Sequence, residues 1–131
     1  MPRETTLEFI AGSHKWGKHY RPQRFDGSAL NENDGLEDIP DVSGNRDEFD
    51  IIGWAVSPGD AIAFDYRTIH GAPANTAKAR ERRAFSLRLL GDNARYVRRD
   101  GVVTSPPFPG VTLQHGDVSA GDEFPVLLGG R

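Results

Sequence analysis

Glycine and proline recur so densely along this chain that they decide what it can fold into. Fifteen glycines and nine prolines in 131 residues leave residues 74–90 as the only 17-residue window free of both. Proline removes a backbone donor and glycine costs conformational entropy inside a helix or strand, so several long helices are excluded. A β-rich, loop-rich fold is the expectation. Leu, Ile, Val and Phe together make up about 23% of the residues, just above the level at which a chain fails to fold at all. One domain with a thin core follows. No run of 18 apolar residues occurs, so no membrane partner is expected. Met1-Pro2-Arg3-Glu4 leads into no apolar stretch of the kind a secretory signal needs, and cytoplasm is the default compartment. The absence of cysteine rules out disulfides, thiolate metal sites and a cysteine nucleophile.

The net charge of −3 conceals a separation of sign. Residues 26–50 carry nine acidic side chains against the single cation Arg46, whereas residues 76–99 carry eight basic side chains against Glu81 and Asp92. A basic segment of this density suits a small anion, a nucleic acid or a membrane surface. Two solvated, mutually complementary faces are the plain alternative. Nucleic acid is disfavoured, because Phe85 and Tyr96 are too few to build a stacking platform there.

Residues 7–11 read as a strand entering a turn at Gly12-Ser13. Residues 25–49 form a polar surface excursion with the character of a lid. Residues 51–56 and 61–66 read as a hairpin closed by Ser57-Pro58-Gly59-Asp60. Residues 74–90 carry two signals. Asn75 and Gly91 sit like the caps of a helix, yet Phe85, Leu87 and Leu89 alternate with Ser86 and Arg88 at the period of a strand.

Without cysteine, a transition-metal site must be built from imidazole, carboxylate and water. His70 is the strongest candidate ligand: it follows the apolar run Ala61-Ile62-Ala63-Phe64 and precedes Gly71, which permits close approach of a ligand. A hydrogen-bonded histidine at a strand end is the structural alternative. His14 reads as a turn residue, and His19 and His115 as surface residues. Arg82 opens Arg82-Arg83-Ala84-Phe85. An arginine facing a pocket there would bind a carboxylate by two parallel hydrogen bonds, and one beside a metal-binding histidine would suit a 2-oxo acid.

Taken in order, these residues resemble a known family. Leu7-Glu8-Phe9-Ile10-Ala11-Gly12-Ser13-His14 is similar to the G-x-L-x-x-x-P-G-S-H segment of the phytanoyl-CoA dioxygenase-like family. Gly59-Asp60 with Phe64, then His70-Gly71, Asn75 and Arg82-x-Ala84, resemble its G-D-x-x-x-F, H-G-x, N and R-x-A run. Gly91-Asp92, Tyr96 and the tail at Ser105-Pro106-Pro107-Phe108-Pro109 look like its bacterial members, which extends the resemblance over nearly the whole chain. The resemblance implies an all-β double-stranded β-helix, or jelly roll, with long loops, and Fe(II)/2-oxoglutarate-dependent oxygenation. In such a reaction 2-oxoglutarate is decarboxylated to succinate while a small-molecule substrate is hydroxylated on an aliphatic carbon. It also implies that residues 84–90 are a strand. Matched position by position, His70 corresponds to the distal iron-binding histidine and Arg82 to the arginine that grips the far carboxylate of 2-oxoglutarate.

The family's other two iron ligands form a His-x-Asp motif ahead of the Gly-Ser-His segment. No such motif precedes Gly12-Ser13-His14, and the chain is expected to lack it. Asp60 and Asp65 match no ligand position, and Ala72 stands where relatives carry a serine near the cosubstrate. Residues 1–131 are therefore expected to be one partial jelly-roll domain, the C-terminal half of a larger enzyme. Such a half would be inactive alone and would self-associate through open strand edges. A non-catalytic jelly-roll module that binds a small carboxylate-containing ligand is the alternative.

Overall fold

The computed structural model describes residues 1–24, 26–32, 34–74, 81–99, 101 and 110–128. It divides into two compact units, Met1–Ala84 and Phe85–Arg131.

The first unit is organised around one short strand. β1 (Glu8–Ile10) lies between β2 (Ile51–Ile52) and β3 (His70–Gly71), and both neighbours run antiparallel to it. Phe9 is opposite Ile52 on one side and His70 on the other. Two further backbone bonds lengthen the ladders, from Ile10 N to Ile69 O and from Ala11 N to Asp50 O, both 2.9 Å. Phe9 and Ile10, 3% and 4% exposed, are the fully buried apolar residues of the described chain. The thin core expected from composition is thus centred on the middle strand, which alone has a neighbour on each side.

β1 ends where the sequence places a turn. Gly12 adopts φ +73°, a left-handed conformation that costs other L-residues about 1–2 kcal/mol. It opens a 3₁₀ turn over Ser13–Lys15. Ser13, 2% exposed, donates from Oγ to Ile10 O and accepts from Ile69 N, each at 2.9 Å. One hydroxyl therefore ties the end of β1 to the entry of β3.

The expected hairpin of residues 51–56 with 61–66 does not form. Its turn is present: Asp60 N donates to Ser57 O at 3.0 Å, and Ser57 N to Asp60 Oδ2 at 2.8 Å. The strands flanking it are not paired, because residues 54–56 bond the N-terminal segment instead. Thr6 Oγ1 donates to Trp54 O at 2.7 Å, and Val56 N to Met1 O at 3.0 Å. Only Ile51 and Ile52 remain as a strand, and they pair with β1.

The described residues are strand, turn, 3₁₀ turn and coil, with no α-helix. Three strands of two or three residues do not make the two facing sheets of a jelly roll. Neither signal in residues 74–90 is realised where the chain is described: residues 75–80 lie outside the described residues, and 81–90 are exposed coil. Phe25, Asn75 and the Ser105–Pro109 tail also lie outside them. No helix among the described residues is long and apolar enough to cross a membrane.

Three carboxylates of the acidic segment are paired with nearby cations. Arg21 reaches Asp34 through Nε at 3.0 Å, Asp38 through Nη1 at 2.5 Å and Leu36 O through Nη2 at 3.0 Å, while Lys18 pairs with Glu37 at 2.7 Å. The partners of these acidic residues are Arg21 and Lys18, not the basic segment at residues 76–99.

In the second unit, Arg95 forms an isolated antiparallel bridge with Val118. Tyr96 N donates to Asp117 O and Gly116 N to Tyr96 O, both at 2.8 Å.

Candidate metal and cosubstrate site

His70 reaches its position because β3 pairs with β1. Its ring stacks on Phe9 with centroids 6.0 Å apart, and it meets Phe64 edge-on at 4.7 Å. Phe9 in turn packs on Phe64 at 4.8 Å and on Trp54 at 6.0 Å. This aromatic cluster holds the imidazole by its faces while leaving the residue exposed. Nδ1 lies 2.8 Å from Thr68 O. A carbonyl only accepts, so Nδ1 is the donor here, and in the neutral ring the lone pair is then on Nε2. A backbone carbonyl on the far nitrogen is the usual way a ligating imidazole is oriented.

Arg82 lies at the end of the β1–β3 ladder. Its Nη1 donates to Thr5 O at 3.2 Å and Pro73 O at 3.4 Å, carbonyls that flank the Glu8–Gly71 pair. The guanidinium therefore bridges the chain entering β1 and the chain leaving β3.

A cleft of about 240 Å³ adjoins the cluster, lined by Phe9, Trp54, Ile62, Phe64, His14 and Asp65 among others. His14 stands on the 3₁₀ turn as expected, half-buried, with Nδ1 shielded and unpartnered among the described residues. Asp65 is not a free ligand. The Arg67 side chain clasps it at 3.1 and 3.0 Å, and Arg67 N donates to it at 2.9 Å. These hydrogen bonds hold its carboxyl down at about 2. Glu8, opposite Gly71, is engaged by Arg46 at 2.9 and 3.0 Å and by Arg3 at 3.1 Å. The Arg46 hydrogen bonds lower its pKa, against the opposing effect of partial burial.

Against the expectation of none, one His-x-Asp spacing does occur, at His115-Gly116-Asp117. It lies after His70 in the chain, and its context is a turn. Asp117 N donates to Gln114 O at 3.1 Å, Gln114 N to Asp117 Oδ2 at 2.7 Å, and Gly116 takes φ +94°. The aspartate closes the turn, which accounts for the spacing without a metal. Reading every His-x-Asp in the sequence would have found it, and the Gly between would have flagged the turn.

Among the described residues, no three His, Asp or Glu side chains converge on a point that could hold a metal. The donor set at His70 is a single imidazole and does not by itself fit Fe(II), which a facial triad holds with three ligands.

Compared with known families, the chain matches the phytanoyl-CoA dioxygenase (PhyH) family model over residues 2–84, more than half its length. The chain belongs to the phytanoyl-CoA dioxygenase family. Membership places it at family level among Fe(II)/2-oxoglutarate-type dioxygenases, and the match spans both His70 and Arg82. It does not extend over Gly91, Tyr96 or the Pro-rich tail. It occupies the N-terminal part of this chain, so the reading of all 131 residues as the family's C-terminal portion is not borne out. The match ends at residue 84, where the first compact unit also ends. No curated protein and no solved structure matches the chain.

Proposed function

We propose that this chain serves an Fe(II)/2-oxoglutarate-dependent hydroxylation of an aliphatic carbon of a small molecule, in a jelly-roll domain of which the three-stranded sheet is a part. His70 contributes Nε2 to the iron, and Arg82 pairs with the far carboxylate of 2-oxoglutarate. The observation that carries the reading is the Nδ1 contact of His70 with Thr68 O, which in the neutral ring directs ligation to Nε2. Arg82 supports it by lying at the end of the same ladder. The reading requires two further ligands from residues not gathered at His70.

Mn(II) added as a paramagnetic stand-in for Fe(II) should broaden the imidazole proton resonances of His70 selectively, and the broadening should vanish in His70→Ala. Uniform broadening, or broadening that persists elsewhere in that variant, would remove His70 from the metal. A charge-transfer band on anaerobic addition of Fe(II) and 2-oxoglutarate, lost in His70→Ala, would show that the two further ligands come from this chain.

The second reading, a non-catalytic module that binds a carboxylate through Arg82, is favoured by the lack of a converging donor set among the described residues. It predicts metal-independent 2-oxoglutarate binding that is lost in Arg82→Ala.

A further inference from the structure

We infer that Ser13 is a positioning residue for His70: through the peptide joining Thr68 to Ile69, its hydroxyl fixes which imidazole nitrogen holds the proton and which is left free to ligate. A trans peptide is planar, so its C=O and N–H point in opposite directions and turn as one unit. Ile69 N donates to Ser13 Oγ at 2.9 Å, and on the other side of the same peptide Thr68 O lies 2.8 Å from His70 Nδ1. Ser13 Oγ in turn donates to Ile10 O at 2.9 Å. The bonds therefore run head to tail from the imidazole, through the peptide and the hydroxyl, to the carbonyl at the end of β1. Hydrogen bonds chained in this way polarise and strengthen one another.

The neighbouring peptides have anchors of their own. Thr68 N donates to Asp65 O and Ile10 N to Ile69 O, both at 2.9 Å. These bonds hold the chain on either side of the Thr68–Ile69 peptide without fixing its tilt, which the Ser13 hydroxyl sets from 56 residues away. Stacking on Phe9 and the edge-on contact with Phe64 hold the plane of the His70 ring, and neither depends on which nitrogen is protonated. That choice follows the hydrogen bond a ring nitrogen makes, here the one to Thr68 O. A peptide released at its N–H end can tilt, and its carbonyl then leaves the line of Nδ1–H. The ligand role of Nε2 rests on the function proposed above, whereas the coupling of Ser13 to the ring involves no metal and is tested without it.

The test uses the full metal-free chain at about pH 8.5, where imidazoles are neutral. Long-range proton–nitrogen correlation spectra read each histidine's tautomer from its two nitrogen shifts, and the His70 signals are those missing from His70→Ala. In the unsubstituted chain His70 should carry its proton on Nδ1. Ser13→Ala should lower the ratio of the Nδ1–H form to the Nε2–H form by roughly threefold or more. Ser13→Cys, which fills the site with a weaker acceptor, should fall between the two and carries the test if the alanine variant does not fold. Thr6→Val removes a hydroxyl almost as buried, 3% exposed, that bonds Trp54 O and Arg3 O, and it should leave the ratio unchanged. Amide spectra check that each variant is folded. A His70 protonated on Nε2 in the unsubstituted chain, a ratio unmoved by the Ser13 substitutions, or an equal fall in Thr6→Val would overturn the assignment. Failure of Mn(II) to broaden His70 in the unsubstituted chain would instead remove the ligand role and leave this coupling standing.

Discussion

Replacing Ser13 by alanine removes one oxygen and should destabilise the first unit severely. That oxygen makes two hydrogen bonds in a site 2% exposed, donating to Ile10 O and accepting from Ile69 N. Each neutral bond contributes about 0.5–1.5 kcal/mol net, and a buried donor left without a partner costs about 1–3 kcal/mol. Alanine leaves Ile69 N–H without its acceptor, in a pocket whose backbone is held by the β1–β3 ladder. These terms overlap, and together they come to roughly 2–4 kcal/mol. A domain of this size is stable by only about 5–10 kcal/mol, so the loss is a large fraction of the total. Urea unfolding followed by tryptophan emission should show a lower midpoint with an unchanged slope, because Trp54 packs on Phe9. Amide exchange gives the local readout: Ile69 should lose protection beyond the global change. A stability loss below about 0.5 kcal/mol, or unchanged protection at Ile69, would refute the view that this hydroxyl locks β3 to the end of β1.

Phe9→Ala should cost about 3–5 kcal/mol, read by the same urea unfolding, because it empties the ring contacts to Trp54, Phe64 and His70. Gly53→Ala should destabilise by about 1–3 kcal/mol in thermal unfolding, since its Cβ would lie 2.7 Å from Leu7 O and 2.8 Å from Arg3 Cζ. For Glu8, the folded pKa lies below the ordinary 4.5, so the unfolded chain takes up its proton first as pH falls. Its contribution to stability is then complete above about 4.5 and lost as pH drops through the folded pKa. Arg46→Ala should move the Glu8 carboxyl resonance midpoint upward in an NMR titration, and an unmoved midpoint would show that Arg46 is not its main partner.

Local chemistry in this chain was legible from sequence wherever it depends on a few adjacent residues. The turn at Gly12-Ser13, the Ser57–Asp60 turn, the strand at Phe9 and the thin core follow from backbone preferences and apolar content. The ordered run from Gly12-Ser13-His14 to Arg82-x-Ala84 carried the family, and the family match covers that same stretch. Pairing was not legible, because a ladder is chosen by competition among distant segments. Residues 54–56 hydrogen-bond the N-terminal segment rather than residues 61–66, and no local pattern ranks those partners. The same holds for chemistry: no local pattern shows that Arg46 holds the Glu8 carboxylate from 38 residues away, and His115-Gly116-Asp117 has ligand spacing but turn geometry. The glycine and proline spacing determined by itself that this chain would be short strands and turns. Only the tertiary structure decided that β1 takes both partners, because burying Phe9 and Ile10 requires a neighbour on each side, and those neighbours come from more than forty residues away.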